Sequence, residues 1–223
     1  MIICSVNQMY HEIDYGLYLV TDRDLIGGRS LTEVILAAVK GGVTVVQLRE
    51  KKCSTRDYVE LASEIKARLA DHHVPLIIND RLDVALASGA NGVHIGQNDM
   101  PYPVARQIMG RDAIIGLTVE SAAQALIAEK LDADYLGVST IFPTPTKTDT
   151  TYVWGIDGLR KLARKSRHCL VAIGGLNQDN AAEIIKAGAR GVAVVSAICA
   201  AEDPESASRT LRAIIDSARR TEL

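Results

Sequence analysis

Short β-rich apolar runs and amphipathic helical stretches alternate from one end of this chain to the other. That alternation limits the possible folds more than any other feature of the sequence. The runs are Leu17–Thr21, Val43–Arg49, Leu76–Asn79, Gly92–Ile95, Ala113–Thr118, Tyr135–Ser139, Leu170–Ile173 and Gly191–Ser196. Helical patterns follow them, at Leu31–Lys40, at Arg56–Asp71 with Val59, Ala62, Ile65 and Leu69 on one face, up to Ser88-Gly89, and finally over Pro204–Arg219. Glycines at Gly41-Gly42, Gly89, Gly110 and Gly188 stand where a helix end wants a left-handed residue. Strands separated by helices run parallel, and eight such units close into a single-domain (β/α)₈ barrel, a TIM barrel. The expected layout is one domain over residues 1–223, with an extension over 1–16 and the barrel over 17–220. A doubly wound open sheet is the alternative. It usually carries a glycine-rich fingerprint after its first strand, whereas here that strand ends Val20-Thr21-Asp22-Arg23.

Composition removes several classes of function. The chain has 223 residues, 48% hydrophobic and 23% charged, which is ample for one large core. Its net charge of -2 gives no electrostatic footprint for nucleic acid or an anionic membrane. No apolar run reaches the ~18 residues of a membrane span. The segment Met1–Tyr15 carries Asn7, His11, Glu12 and Asp14 and does not read as a secretory signal. Cys4, Cys53, Cys169 and Cys199 are scattered without metal-ligand spacing, as incidental thiols of a reducing cytoplasm would be. The expectation is a cytoplasmic protein acting on small molecules, with its oligomeric state left open.

Polar residues collect at the ends of the strands: Asp22; Gln47, Arg49 and Lys51; Asn79 and Asp80; His94, Gln97 and Asp99; Thr118; Ser139; Ser196. In a barrel all those ends meet on one rim, where active sites form. Along the second strand Val43, Val45, Gln47, Arg49 and Lys51 share a face by the two-residue period, so an apolar interior opens onto polar groups. Asp80 and Asp99 each also suit a helix N-cap, Asp80 before Arg81-Leu82-Asp83 and Asp99 before Met100-Pro101. As neighbours on one rim, with phosphate oxygens and water, they suit magnesium. The scattered cysteines and histidines do not suit zinc. His72, His73 and His168 are expected on the opposite rim, facing water.

Two further segments belong to this rim. The stretch from Ile141 to Thr151 is long, hydroxyl-rich and carries Lys147, the composition of a binding loop or lid. Gly174-Gly175 and Val195-Ser196 stand where barrels commonly hold a phosphate on backbone amides. One cationic, metal-suited cluster and one Gly/Ser/Thr cradle imply two anionic substrates and group transfer between them.

These residues resemble the thiamine-phosphate synthase family. The resemblance runs from Leu17 to the final helix, through Val46-Gln47-Leu48-Arg49-Glu50-Lys51, Ile78-Asn79-Asp80-Arg81, Gly92-Val93-His94-Ile95-Gly96-Gln97 with Asp99, Phe142-Pro143-Thr144-Pro145-Thr146-Lys147 and the Gly174-Gly175 turn. It implies a transferase that joins hydroxymethylpyrimidine diphosphate to hydroxyethylthiazole phosphate, with release of pyrophosphate. By this resemblance Gln47, Arg49, Lys51, Asn79, Thr118 and Lys147 contact the pyrimidine diphosphate, with Arg49, Lys51, Lys147 and Thr118 catalytic. Asp80 and Asp99 hold Mg²⁺, and Thr144, Pro145, Thr146, Gly175, Val195 and Ser196 hold the thiazole phosphate. Two positions depart from the family: Thr118 stands where Ser is frequent, keeping the hydroxyl, and Ser139-Thr140 stands where Gly-Pro is frequent before the Phe-Pro-Thr loop. Three readings compete. A thiazole tautomerase would not need Gln47, Arg49, Lys51 and both aspartates together. A sugar-phosphate isomerase or epimerase would need a dedicated base, for which only His94 and Glu120 are candidates, neither clearly paired. A non-catalytic phosphate sensor would not need the aspartate pair.

Overall fold

In the computed structural model, which describes residues 13–144 and 152–220, each apolar run becomes a short parallel strand. The strands are β1 (Leu17–Val20), β2 (Val45–Leu48), β3 (Leu76–Asn79), β4 (Gly92–Ile95), β5 (Ile114–Val119), β6 (Tyr135–Ser139), β7 (Leu170–Ile173) and β8 (Gly191–Val194). They pair in sequence order and β8 closes on β1, matching Tyr18 with Ala193 on one side and with Val45 on the other. The (β/α)₈ barrel is therefore the fold.

Strand alternation sorts the apolar side chains into two cores. Leu17, Leu19, Val46 and Leu48 point outward into a shell shared with the helices. Tyr18, Val20, Val45, Ile77, Tyr135 and Val171 fill the barrel interior. Both faces are covered, so the strands read as continuous apolar runs. Val43 falls outside the two-residue pattern expected of it. It precedes β2 and packs in the outer shell, because the period holds only where the chain is extended.

The helices outside are α1 (Leu31–Lys40), α2 (Thr55–Ala70), α3 (Leu82–Ser88), α4 (Tyr102–Met109), α5 (Ala122–Ala128), α6 (Gly155–Ala163), α7 (Ala181–Lys186), α8 (Ser196–Cys199) and α9 (Pro204–Arg220). Ser30, Ser54 and Ser121 cap α1, α2 and α5 by accepting from the backbone N–H three residues on, as first-turn donors require. Strict one-to-one alternation breaks twice: a 3-10 turn at Arg23–Leu25 follows β1, and the single turn α8 precedes α9. Gly42, Gly89, Gly110 and Gly188 have positive φ, but Gly41 is right-handed at φ -77°, so the left-handed step after α1 falls one residue later.

The lower rim, where the strands begin, is closed by Tyr15. Its ring packs at a tilt of 42° against Tyr135 with centroids 4.9 Å apart, although it lies before the expected barrel start. His72 and His73 are exposed there. His168 is not: half-buried, its two ring nitrogens sit 3.0 Å from the carbonyl oxygens of Ala133 and Ala128. It ties the loop before β7 to the end of α5, a role a helix-end histidine does not announce in sequence. Cys53 and Cys199 are free thiols. No helix among the described residues is long and apolar enough to cross a membrane.

Candidate active site

The upper rim encloses a cavity of about 800 Å³, well inside the range of ~300–1,000 Å³ for small-molecule sites. Gln47, Arg49, Lys51, Asn79, Asp80, Asp99, Thr118, Thr144, Gly175, Val195 and Ser196 all line it. Pro145, Thr146 and Lys147 lie outside the described residues. The polar strand ends thus converge because parallel strands deliver all their C-termini to the same side.

One wall is charged. Arg49 continues β2, its backbone N–H fixed by the Thr21 hydroxyl at 2.9 Å, and its guanidinium approaches Asp22 only to 4.0 Å. Lys51 Nζ donates to Asp80 Oδ2 at 2.6 Å. Asp80 is not the helix cap that its local sequence allows: α3 begins after Arg81, and Asp80 itself holds φ at 63°. A left-handed backbone at a non-glycine residue costs on the order of 1 kcal/mol and recurs at functional sites. The conformation is pinned on both sides, by Asp80 N–H to His94 O at 2.9 Å and Arg81 N–H to Asn79 O at 2.8 Å. Asp99 is not a cap either, since Pro101 precedes α4. Its carboxylate accepts the Gly96 N–H at 2.7 Å and so closes the turn after β4.

The two aspartates share a hydrogen bond. Burial pushes the Asp80 carboxyl up, but Lys51 and the bond to Asp99 outweigh it and hold Asp80 below the usual carboxylate range. Burial pushes Asp99 up as well, and there the neighbouring Asp80 adds to the effect, so Asp99 stays above that range. The two pKa values are thus driven apart, Asp80 favouring the ionised form and Asp99 the protonated one, as neighbouring carboxylates are. Hard oxygen donors held this close fit a divalent cation completed by substrate oxygens and water. Among the described residues no third Asp, Glu, His or Cys joins them, so an all-protein cage is not what the pair builds.

The floor is a run of side chains across the barrel interior. Gln47 Nε2 donates to Tyr18 Oη at 2.9 Å, and Tyr18 Oη meets Tyr135 Oη at 2.6 Å. Tyr135 Oη lies 2.9 Å from His94 Nδ1, and His94 Nε2 lies 2.7 Å from Thr118 Oγ1. Sequence reasoning missed Tyr18 and Tyr135, because a tyrosine in a buried strand reads as core, and it left His94 without a clear pair. One signal was available: Gly116 in β5, beside Tyr135 in β6. A methyl group at Gly116 would lie 2.1 Å from Tyr135 Cζ, so the ring can enter the interior only past a residue without Cβ.

The far wall is made by the turn after β7 and by the start of α8. Gly174 and Gly175 have φ of 106° and 66°. A Cβ on Gly175 would sit 2.9 Å from Phe142 Cβ, so this turn is packed against the loop leaving β6 as well as twisted. Asn180 Nδ2 holds the Gly175 carbonyl at 2.9 Å, and Ser196 is exposed at the first residue of α8. The Ser139–Thr140 peptide at the start of the β6 loop is cis.

Comparison with known proteins agrees with this geometry. The family model described as thiamine monophosphate synthase matches residues 17–198. A thiamine-phosphate synthase of Albidiferax ferrireducens is 54% identical over 201 residues, covering 90% of this chain and 92% of the relative. One from Syntrophomonas wolfei is 51% identical, covering 90% and 96%. The solved structure of a thiamine phosphate pyrophosphorylase from Pyrococcus furiosus superposes with a TM-score of 0.86 at 40% identity, covering 93% of this chain and 98% of that one. The chain belongs to the thiamine monophosphate synthase family.

Proposed function

We propose that the cavity joins a hydroxymethylpyrimidine diphosphate to a hydroxyethylthiazole phosphate, giving thiamine phosphate and pyrophosphate. The observation that carries the reading is the convergence, in one cavity, of the Arg49–Lys51–Asp80–Asp99 wall, the Gln47 floor and the Gly174-Gly175/Ser196 turn. The first wall suits a diphosphate, an amide such as Gln47 can pair with an aminopyrimidine edge, and the third suits a monophosphate. The protein acts on small molecules in the cytoplasm.

In this reading the bond between the pyrimidine methylene and the diphosphate oxygen breaks, and the electron pair leaves with pyrophosphate. The thiazole nitrogen then forms the new carbon–nitrogen bond with its own lone pair. Arg49, Lys51 and Lys147 hold the leaving group, and Thr118 and Asn79 orient it. Asp80 and Asp99 would hold a magnesium ion, which supplies positive charge opposite the diphosphate when bound. Gly175, Val195 and Ser196, with Thr144, Pro145 and Thr146, keep the thiazole phosphate on the far wall. The site needs neither nucleophile nor general base, because positioning and leaving-group stabilisation suffice. His94 has a hydrogen-bond partner on each ring nitrogen, which speaks against the proton-transfer reading.

The test is an assay of pyrophosphate release with both substrates and with each omitted. The expected result is release only when both are present, matched by thiamine phosphate formed and abolished by chelator. Turnover of the thiazole phosphate alone would favour the tautomerase reading, and binding without turnover the sensor.

A further inference from the structure

The floor of the cavity carries a chain of five side chains: Gln47, Tyr18, Tyr135, His94 and Thr118. It starts on β2, passes through β1, crosses the interior to β6 and returns over β4 to β5. Each inner member has one proton to give. A phenol carries a single O–H, and a neutral imidazole a single N–H. Tyr18 and Tyr135 are each 1% exposed, and burial holds both phenols well above their usual pKa, so neither loses its proton. An unspent O–H at that depth costs about 1–3 kcal/mol. With His94 neutral, the bonds must therefore all run in one direction.

Two directions satisfy every group. In the first, the Gln47 amide N–H donates to Tyr18, Tyr18 to Tyr135, and Tyr135 to His94 Nδ1. His94 then carries its proton on Nε2 and donates to Thr118, whose own O–H is left to donate into the cavity, while Gln47 keeps its carbonyl oxygen for the cavity. In the second, the Gln47 amide is turned over and accepts from Tyr18. Every bond reverses, His94 carries its proton on Nδ1, and Thr118 turns lone pairs toward the cavity. The heavy-atom positions serve both, since amide orientation and tautomer leave them unchanged.

We infer that this chain makes the amide orientation of Gln47 and the donor or acceptor character of Thr118 a single choice, transmitted by the tautomer of His94. Resting on the function proposed above, the consequence is specificity. A ring amine calls for the Gln47 carbonyl, and that same choice makes Thr118 a donor, as an anionic leaving group requires. A ring carbonyl in place of the amine calls for the Gln47 N–H at the cavity. It would then present Thr118 lone pairs to the anion. Tyr18, Tyr135 and His94 are positioning residues for both ends. Gly116 and Gly137 make room for them: a Cβ at Gly137 would lie 2.9 Å from His94 Cε1.

The experiment is nitrogen NMR of the full chain labelled at histidine, with the His94 signals assigned by their loss in His94→Asn. Wild type is expected to show the Nε2–H tautomer. Gln47→Glu, whose carboxylate can only accept, is expected to move His94 to the Nδ1–H tautomer while the signals of His72, His73 and His168 stay in place. Adding Tyr135→Phe cuts the chain, so Gln47→Glu should then no longer move the tautomer. The same His94 tautomer in wild type and Gln47→Glu would overturn the inference, because a purely structural network has no reason to switch. Protonation of both ring nitrogens in wild type would also overturn it, since an imidazolium lets the two ends choose separately. A tautomer that switches in a protein with no condensing activity would support the coupling and reject the functional reading. An active enzyme with a fixed tautomer would do the reverse.

Discussion

The two rims of the barrel are both charged, but they use charge in opposite ways. On the lower rim opposite charges are matched, and Asp14, Arg219, Arg106 and Asp134 are also tied to backbone. Asp14 accepts from Arg212 at 2.7 Å, from Arg219 at 3.0 Å and from the Gly16 N–H at 2.9 Å. Arg106 joins Asp134 at 2.7 Å and donates to the Ala113 carbonyl, while Asp134 also holds the Ile115 N–H at 2.8 Å. On the upper rim two carboxylates are held against each other, Arg49 stays 4.0 Å from Asp22, and Asp80 keeps a left-handed backbone. The lower arrangement satisfies itself, whereas the upper one, where Lys51 and Asp80 form the close pair, suits a ligand that brings both an anion and a cation. Local strain and crowded like charges are where a fold gives up stability for ligand binding.

The comparison can be broken by substitutions that separate rate from stability. The largest effect is expected at Asp80. Asp80→Asn keeps a side chain that tolerates the left-handed backbone and removes one carboxylate. The rate of thiamine phosphate formation should fall on the order of 10² or more, with the melting temperature unchanged or raised, as steady-state assay and thermal melting will show. A large drop in melting temperature would make Asp80 structural. Next comes Ser196→Glu, which sets a negative charge at the expected phosphate. The KM for the thiazole phosphate should rise on the order of tenfold to a hundredfold, with that for the pyrimidine diphosphate nearly unchanged. Calorimetry showing ordinary thiazole phosphate binding would remove the cradle.

Between the rims, Gly116→Ala forces a methyl group against Tyr135 and should cost about 1–3 kcal/mol by denaturant unfolding. If the variant is as stable as wild type, the interior is looser than the packing implies.

The smallest effect is expected on the lower rim. Burial pushes the Asp14 carboxyl up, but Arg212, the Gly16 N–H and Arg219 outweigh it and hold it below its usual value. A depressed carboxyl contributes stability that is present above its unfolded pKa and lost as pH falls through the folded one. Asp14→Asn should therefore lower stability at neutral pH by about 1 kcal/mol or less after solvent screening, with no change in rate. The gap in melting temperature from wild type should close in acid. A gap that persists there would mean that the carboxylate charge is not what holds this rim.

The barrel was legible in the sequence because eight strands buried on both faces leave eight apolar runs, and parallel pairing puts helices between them. The polar ends of those runs located the upper rim for the same reason. What stayed hidden depends on contacts between strands distant in sequence. Tyr18 and Tyr135 are 117 positions apart, and nothing local distinguishes two phenols that bond across an interior from two that only fill it. Asp80 and Asp99 read equally well as caps, because residues near a helix start look alike whether they cap it or turn away. His168 reads as a surface residue until β7 brings it beside the carbonyls of Ala128, at the end of α5, and Ala133, just before β6.

The most direct test of this division of the molecule is thermal melting with magnesium and pyrophosphate, the leaving group of the proposed reaction. A ligand bound only by the folded state stabilises it by RT ln(1 + [L]/Kd), and so raises the melting temperature as its concentration passes Kd. The account predicts that magnesium and pyrophosphate together raise the melting temperature of wild type and of Asp14→Asn, and that the rise is lost in Asp80→Asn. An equal rise in all three proteins would contradict it, placing the pair somewhere other than the Asp80–Asp99 wall.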